Sequence, residues 1–155
     1  MWFSRSLMWV GLSLAPVLAL ADTLVVEEAK VRAVPPVSTT TAAFMVLRNP
    51  GDQDLAVLGA FSPAAENTEL HNHVEEDGVM QMRQVQAINV PAGGSVELAP
   101  GGLHLMLIGL VETLEEGDQI ELTLELDNTE RITVEAPVKR IEVMDEGSDH
   151  GHHAH

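Results

Sequence analysis

Apolar residues recur along this chain in short runs, many with a period of two, and turn-forming residues interrupt them roughly every 8 to 12 positions. Leu24 to Ala33 reads as a first strand, ended by Pro35-Pro36, because proline cannot donate to a ladder. Thr41 to Leu47 (TAAFMVL) is nearly all apolar and reads as a central strand, closed by the turn Asn49-Pro50-Gly51-Asp52. Asp54 to Phe61, the short run Glu69 to His73, and Val79 to Val85 follow, the last two separated by the acidic loop Glu75-Glu76-Asp77-Gly78. Pro91-Ala92-Gly93-Gly94 turns the chain into Ser95 to Leu98, and Pro100-Gly101-Gly102 turns it again into Leu103 to Leu110. In Gln119 to Leu126 the residues Ile120, Leu122, Leu124 and Leu126 share one face, with Glu121 and Glu125 on the other. Asp127-Asn128 leads into Ile132 to Val138. No segment holds a helical period. The pattern predicts an all-β sandwich of roughly eight strands.

The two ends differ from this middle. Residues 1–21 read as a secretory signal peptide: Arg5 supplies positive charge, Leu7 to Leu20 an apolar stretch, and Ala19-Leu20-Ala21 a small-residue cleavage site. The apolar stretch is about 14 residues, short of the roughly 20 that cross a bilayer, so no membrane insertion is expected after cleavage. The expected domain spans residues 22–143. Beyond it, residues 144–155 carry no apolar pattern and are rich in histidine, which reads as a flexible tail.

Charge and composition narrow the function. Among 155 residues, 8 Lys and Arg face 24 Asp and Glu, for a formal charge of −16. Phosphate backbones would repel such a chain, so nucleic-acid binding is excluded. Hydrophobic residues make up 45% of the chain, enough for a packed core. There is no cysteine. Disulfides, thiol catalysis, iron–sulfur clusters and a blue-copper centre all fall away. No nucleophile elbow or Ser-His-Asp arrangement is visible, and no carboxylate pair stands out, so no catalytic residues are assigned and an enzyme is not expected.

The remaining chemistry lies in histidine and methionine. His71 and His73, Met80 and Met82, and His104 and Met106 form three pairs spaced two apart, so each pair shares a strand face. Thioether sulfur is soft and suits Cu(I), while imidazole accepts Cu, Zn or Ni. A mixed His/Met set without thiolate therefore points to Cu(I). Singly, these residues have plainer readings. Met45 reads as core filling, Met80 and Met82 more readily as core than as ligands, and His71 or His73 as surface histidines. His104 lies within Gly-Gly-Leu-His-Leu-Met-Leu, where its polar ring needs a partner.

Together, His71, Met82, His104 and Met106 form the spacing H-x10-M-x21-H-x-M. This resembles the signature of the PCuAC family of periplasmic copper chaperones. Thr41-Ala42-Ala43-Phe44, Asn49-Pro50-Gly51, Glu69-Leu70-His71, Met82-Arg83, Pro91-Ala92-Gly93-Gly94 and Pro100 to Met106 are similar to its other landmarks, over roughly Leu24 to Val138. The resemblance implies a cupredoxin-like (immunoglobulin-like) β-sandwich with Greek-key connections, monomeric and periplasmic. It implies one Cu(I) held by His71, Met82, His104 and Met106, and delivery to the CuA centre of cytochrome c oxidase. Many family members carry Met directly after the first His. Here that position is Asn72, with His73 following, which leaves open whether His73 or Met80 assists.

In the tail, His150, His152, His153 and His155 with Asp149 offer nitrogen and carboxylate donors suited to Cu(II). The expected role is an arm that collects Cu(II) for the folded site. Two functions therefore compete: a metallochaperone with an acceptor, and a periplasmic copper or zinc buffer without one.

Overall fold

The computed structural model describes residues 23–142. The signal-peptide reading of residues 1–21 and the histidine tail of residues 144–155 lie outside them. The described residues are all β, with ten strands. They are β1 Val25–Arg32, β2 Thr40–Arg48, β3 Leu55–Phe61, β4 Ala65–Glu76, β5 Val79–Gln84, β6 Ile88–Val90, β7 Ser95–Leu98, β8 His104–Leu110, β9 Gln119–Leu126 and β10 Arg131–Lys139.

One layer runs β5-β4-β8-β2-β1, and the other β10-β9-β3-β6. The parallel pairing of β1 with β10, through Val31 opposite Val138, joins them along one side. Most links between successive strands cross from layer to layer, as in a Greek key. The all-β sandwich expectation holds.

The core lies between the layers. One sheet contributes Val31, Ala43, Met45, Leu47, Leu70, Leu105 and Leu107, and the other Val57, Ile88, Val90, Leu122, Leu124, Ala136 and Val138. Burying each large aliphatic side chain contributes roughly 1.5–3 kcal/mol before chain entropy is subtracted. Met45 is core, as its strand pattern predicts. The even-numbered face of β9 is buried while Glu121 is exposed, again as the alternation predicts. Asn49 closes its turn from inside: its amide donates to the carbonyls of Gln53 and Val90, and its oxygen accepts from Gly51 N–H.

Four features depart from the sequence pattern. β4 is twelve residues long, not the short run Glu69 to His73. Its polar first half is held in strand form by pairing with β8, which local propensity does not report. The two residues Asp77 and Gly78 connect it to β5, both at positive φ, which is the tight hairpin turn an Asp-Gly pair favours. β6, only three residues, has no counterpart in the pattern; its Ile88 and Val90 are buried against β3. β1 is interrupted by a bulge between Glu27 and Lys30, with Glu28 at positive φ.

The fourth departure shapes the site. Pro100-Gly101-Gly102 does not reverse the chain. β7 and β8 both run antiparallel to β2 along the same edge, β7 on residues 45–48 and β8 on residues 40–43. Residues 99–103 are thus an excursion from one broken strand, with Gly101 at positive φ.

Candidate metal centre

The alternation of β8 decides which way its donors point. Leu105 and Leu107 enter the core and are fully buried, so His104 and Met106 lie on the outer face of that sheet. On β4, Leu70 enters the core, which puts Glu69, His71 and His73 on the same outer face. Strand register then sets the neighbours. His71 is opposite His104, and Glu69 is opposite Met106. Across the hairpin, His73 is opposite Met82, and Glu75 is opposite Met80. On β2, Ala42 is opposite Met106.

Although it is on the outer face, His104 is only 2% exposed. The Phe44 ring lies 6.3 Å away, and the rings of His71 and His73 lie 5.8 and 5.2 Å away. His104 shares a solvent-open cavity of about 400 Å³ with His73, Met80, Met82, Met106 and Arg32. Pro100 and Gly101 of the excursion form part of its wall.

The excursion also sets the chemistry of His104. The Gly102 carbonyl accepts from His104 Nδ1 at 2.9 Å and from the His73 backbone N–H at 3.3 Å. With the proton on Nδ1, Nε2 carries the lone pair, and this buried nitrogen has no hydrogen-bond partner. Burial holds the His104 pKa below its ordinary value of 6.5; the hydrogen bond to Gly102 opposes this, and charge on His73, His71 and Arg32 adds to it. The ring is thus kept neutral, as a metal ligand must be.

His71 is arranged in a comparable way. Its Nε2 lies 2.8 Å from Glu69 Oε2, which fixes the proton there. Its Nδ1 is buried without a partner, and so is Nδ1 of His73. Three imidazoles therefore each present an unpartnered nitrogen, a state that is costly unless a ligand relieves it.

Among the described residues, no group of three or more His, Asp or Glu side chains stands in metal-holding geometry. The thioethers of Met80, Met82 and Met106 are further soft donors lining the same cavity. Met80 and Met82 are 55% and 45% exposed, so the reading of these two as core is wrong. Strand β5 is exposed along its whole length, and its hairpin carries them away from the core. A donor set of neutral imidazole and thioether, without thiolate, fits Cu(I) better than Zn(II) or Mg(II).

Three of the four expected ligands, Met82, His104 and Met106, line the cavity. His71 adjoins His104 without forming part of the cavity wall, and His73 and Met80 do form part of it. The i, i+2 spacing of His71 and His73 already places both on one face; only the hairpin register shows which of them meets Met82.

A model of the family described as "Putative lipoprotein LpqE-like" matches residues 24–138. The chain belongs to the LpqE-like family. A "Putative lipoprotein Lxx21020" from Leifsonia xyli subsp. xyli is 39% identical over 120 residues, covering 77% of this chain and 71% of that protein. Among solved structures, this LpqE-like chain resembles the Cu(I) form of DR1885 from Deinococcus radiodurans, with 35% identity and a TM-score of 0.63 over 80% of this chain and 82% of that one. It also resembles the copper-bound PCuAC domain from PmoF2, at 23% identity and a TM-score of 0.65, over 76% and 93% of the two chains; at that identity the likeness concerns the fold. The resemblance to PCuAC domains therefore stands at the level of structure, while the matching family model is that of the related LpqE-like proteins.

Proposed function

We propose that this LpqE-like protein is an exported copper metallochaperone that binds Cu(I) on the outer face of its sandwich and passes it to an acceptor. The observation that carries this reading is the gathering of His71, His73 and His104, each with an unpartnered buried nitrogen, beside Met82 and Met106. The Cu(I) form of a protein 35% identical to this one supports copper as the cargo. The ligands proposed are His71, Met82, His104 and Met106, with the ion open to solvent on the Met82 side.

Release follows from that exposure. The Met82 thioether on the half-exposed hairpin can be displaced first by an acceptor's ligand, without unfolding the sheet. No bond of the protein is made or broken and no electron moves, so the proposal contains no catalytic step. The acidic surface concentrates cations and steers a basic partner. By the PCuAC resemblance, that partner is the CuA centre of cytochrome c oxidase. Description of the relatives as putative lipoproteins supports export, and the PCuAC resemblance supports the periplasm. These 155 residues contain no cysteine to which a lipid could be joined through sulfur.

Tail residues His150, His152, His153 and His155 are proposed to collect Cu(II), which enters the folded site as Cu(I) once an external one-electron reductant has reduced it. Deleting residues 145–155 then removes the tight Cu(II) site and spares Cu(I), leaving the folded site with only weak affinity for Cu(II).

The deciding experiment is an anaerobic Cu(I) titration of the protein with its tail histidines replaced, against a chromophoric competitor. One tight equivalent followed by transfer to an oxidase CuA domain supports the chaperone. Tight binding without transfer to any acceptor favours a copper buffer instead.

A further inference from the structure

Two histidines flank His104 on the same strand face, and the H-x10-M-x21-H-x-M spacing uses only one of them. His71 is directly across from His104, with ring centroids 5.8 Å apart. His73 lies closer, at 5.2 Å. Each has a buried Nδ1 without a hydrogen-bond partner. They differ in surroundings. His71 is tied through Nε2 to Glu69 and does not form part of the cavity wall. His73 lines the cavity with Met80 and Met82, and its cross-strand neighbour is Met82.

We propose that His73 is a second, outer copper ligand that exchanges with His71 while His104 and Met106 keep hold of the ion. This rests on the Cu(I)-binding reading above and assigns it a path. With His71 the copper sits on the inner side, against β8. With His73 it sits on the open side, against the β4–β5 hairpin and its exposed thioethers. The step breaks one Cu–N bond and makes another. The oxidation state of copper is unchanged, and no proton moves when both rings carry theirs on Nε2 and a lone pair on Nδ1. The outer position is the one an acceptor reaches first, through the exposed strand β5.

The test compares the full chain with its H71N, H73N and H71N/H73N variants, the four tail histidines being replaced in all of them. Cu(I) affinity is measured anaerobically by competition, and imidazole nitrogen shifts are followed by NMR as Cu(I) is added. Exchange predicts that each single variant keeps one Cu(I) with affinity reduced roughly tenfold. The double variant then loses more than a hundredfold, beyond what independent sites would give. In H71N the His73 Nδ1 resonance shifts on Cu(I) addition, which a merely structural histidine would not do. Transfer to a thioether-containing acceptor peptide slows in H73N more than in H71N. The proposal is overturned if H73N matches the parent in affinity and transfer while H71N alone abolishes binding. Failure of the parent itself to bind Cu(I) would instead overturn the chaperone reading, so the two failures are distinct.

Discussion

His71 and His104 are directly opposite one another on neighbouring antiparallel strands, yet opposite hydrogen-bonding partners hold them. His104 donates through Nδ1 to the Gly102 carbonyl and leaves Nε2 open, whereas His71 is bound through Nε2 to Glu69 and leaves Nδ1 open. One ring is fixed by a backbone excursion and the other by a carboxylate. Each leaves one buried ring nitrogen without a partner on the same face of the sheet.

Glu69 should therefore matter without touching copper. Replacing it with Leu removes the acceptor that holds the His71 proton on Nε2, and loss of such an outer partner typically weakens metal binding 10–100-fold. With His73 able to substitute for His71, the expected loss in E69L is roughly tenfold, read by Cu(I) competition. Unchanged affinity would mean that the Glu69–His71 pair is an ordinary surface contact.

Sulfur and apolar volume can be separated by position. The double variant M82L/M106L keeps apolar bulk but should lose tight Cu(I) binding. M45L, in the core, should bind Cu(I) normally and change stability by less than about 1.5 kcal/mol, since Met and Leu are close in volume. Equal copper binding by all of these proteins would exclude a thioether site.

The depressed pKa of His104 has a defined sign. The unfolded chain takes up a proton on this ring as pH falls below 6.5, while the folded ring resists until a lower pH. His104 therefore contributes stability that is present above pH 6.5 and is lost as pH falls through the folded-state value. NMR titration of the apoprotein should show His104 ionising below 6.5. Denaturant melts should show stability declining over the same range, and less steeply in H104N. Ionisation of His104 at or above 6.5 would contradict the burial of its ring.

Arg32 lines the same cavity, with its guanidinium 5.5 Å from the centre of the Phe44 ring. A fixed positive charge disfavours Cu(II) more than Cu(I), because repulsion scales with the charge of the ion. R32Q should raise Cu(II) affinity at the folded site more than Cu(I) affinity. The measurement is the reduction potential of the bound copper in protein with its tail histidines replaced, and the expected shift is downward. An upward shift or none would show that Arg32 does not act on the ion.

Gly101 holds the excursion at positive φ, where a residue with a Cβ is strained. G101V should cost roughly 1–2 kcal/mol and weaken copper binding with it, because the adjacent Gly102 carbonyl positions His104. Loss of stability with full copper affinity would separate the excursion from the site.

Much of this protein is legible in the order of its residues. Alternation in Ile120, Leu122, Leu124 and Leu126 marks a half-buried strand wherever that strand is placed, and the spacing of the His and Met pairs puts each pair on one face. The absence of cysteine, a matter of composition alone, limits the soft and borderline donors to imidazole and thioether. These are local properties of a chain with a period of two. The rest depends on pairing between distant strands, which no local pattern reports. Register across β4, β8 and β5 decides that His71 faces His104 while His73 faces Met82. The shared edge of β2 turns an apparent reversal at Pro100-Gly101-Gly102 into an excursion whose carbonyl orients His104. Met45 and Met82 are the same residue in similar strands. One is buried between two layers and the other half-exposed on an edge hairpin, because burial belongs to the packing of whole sheets and not to the residue.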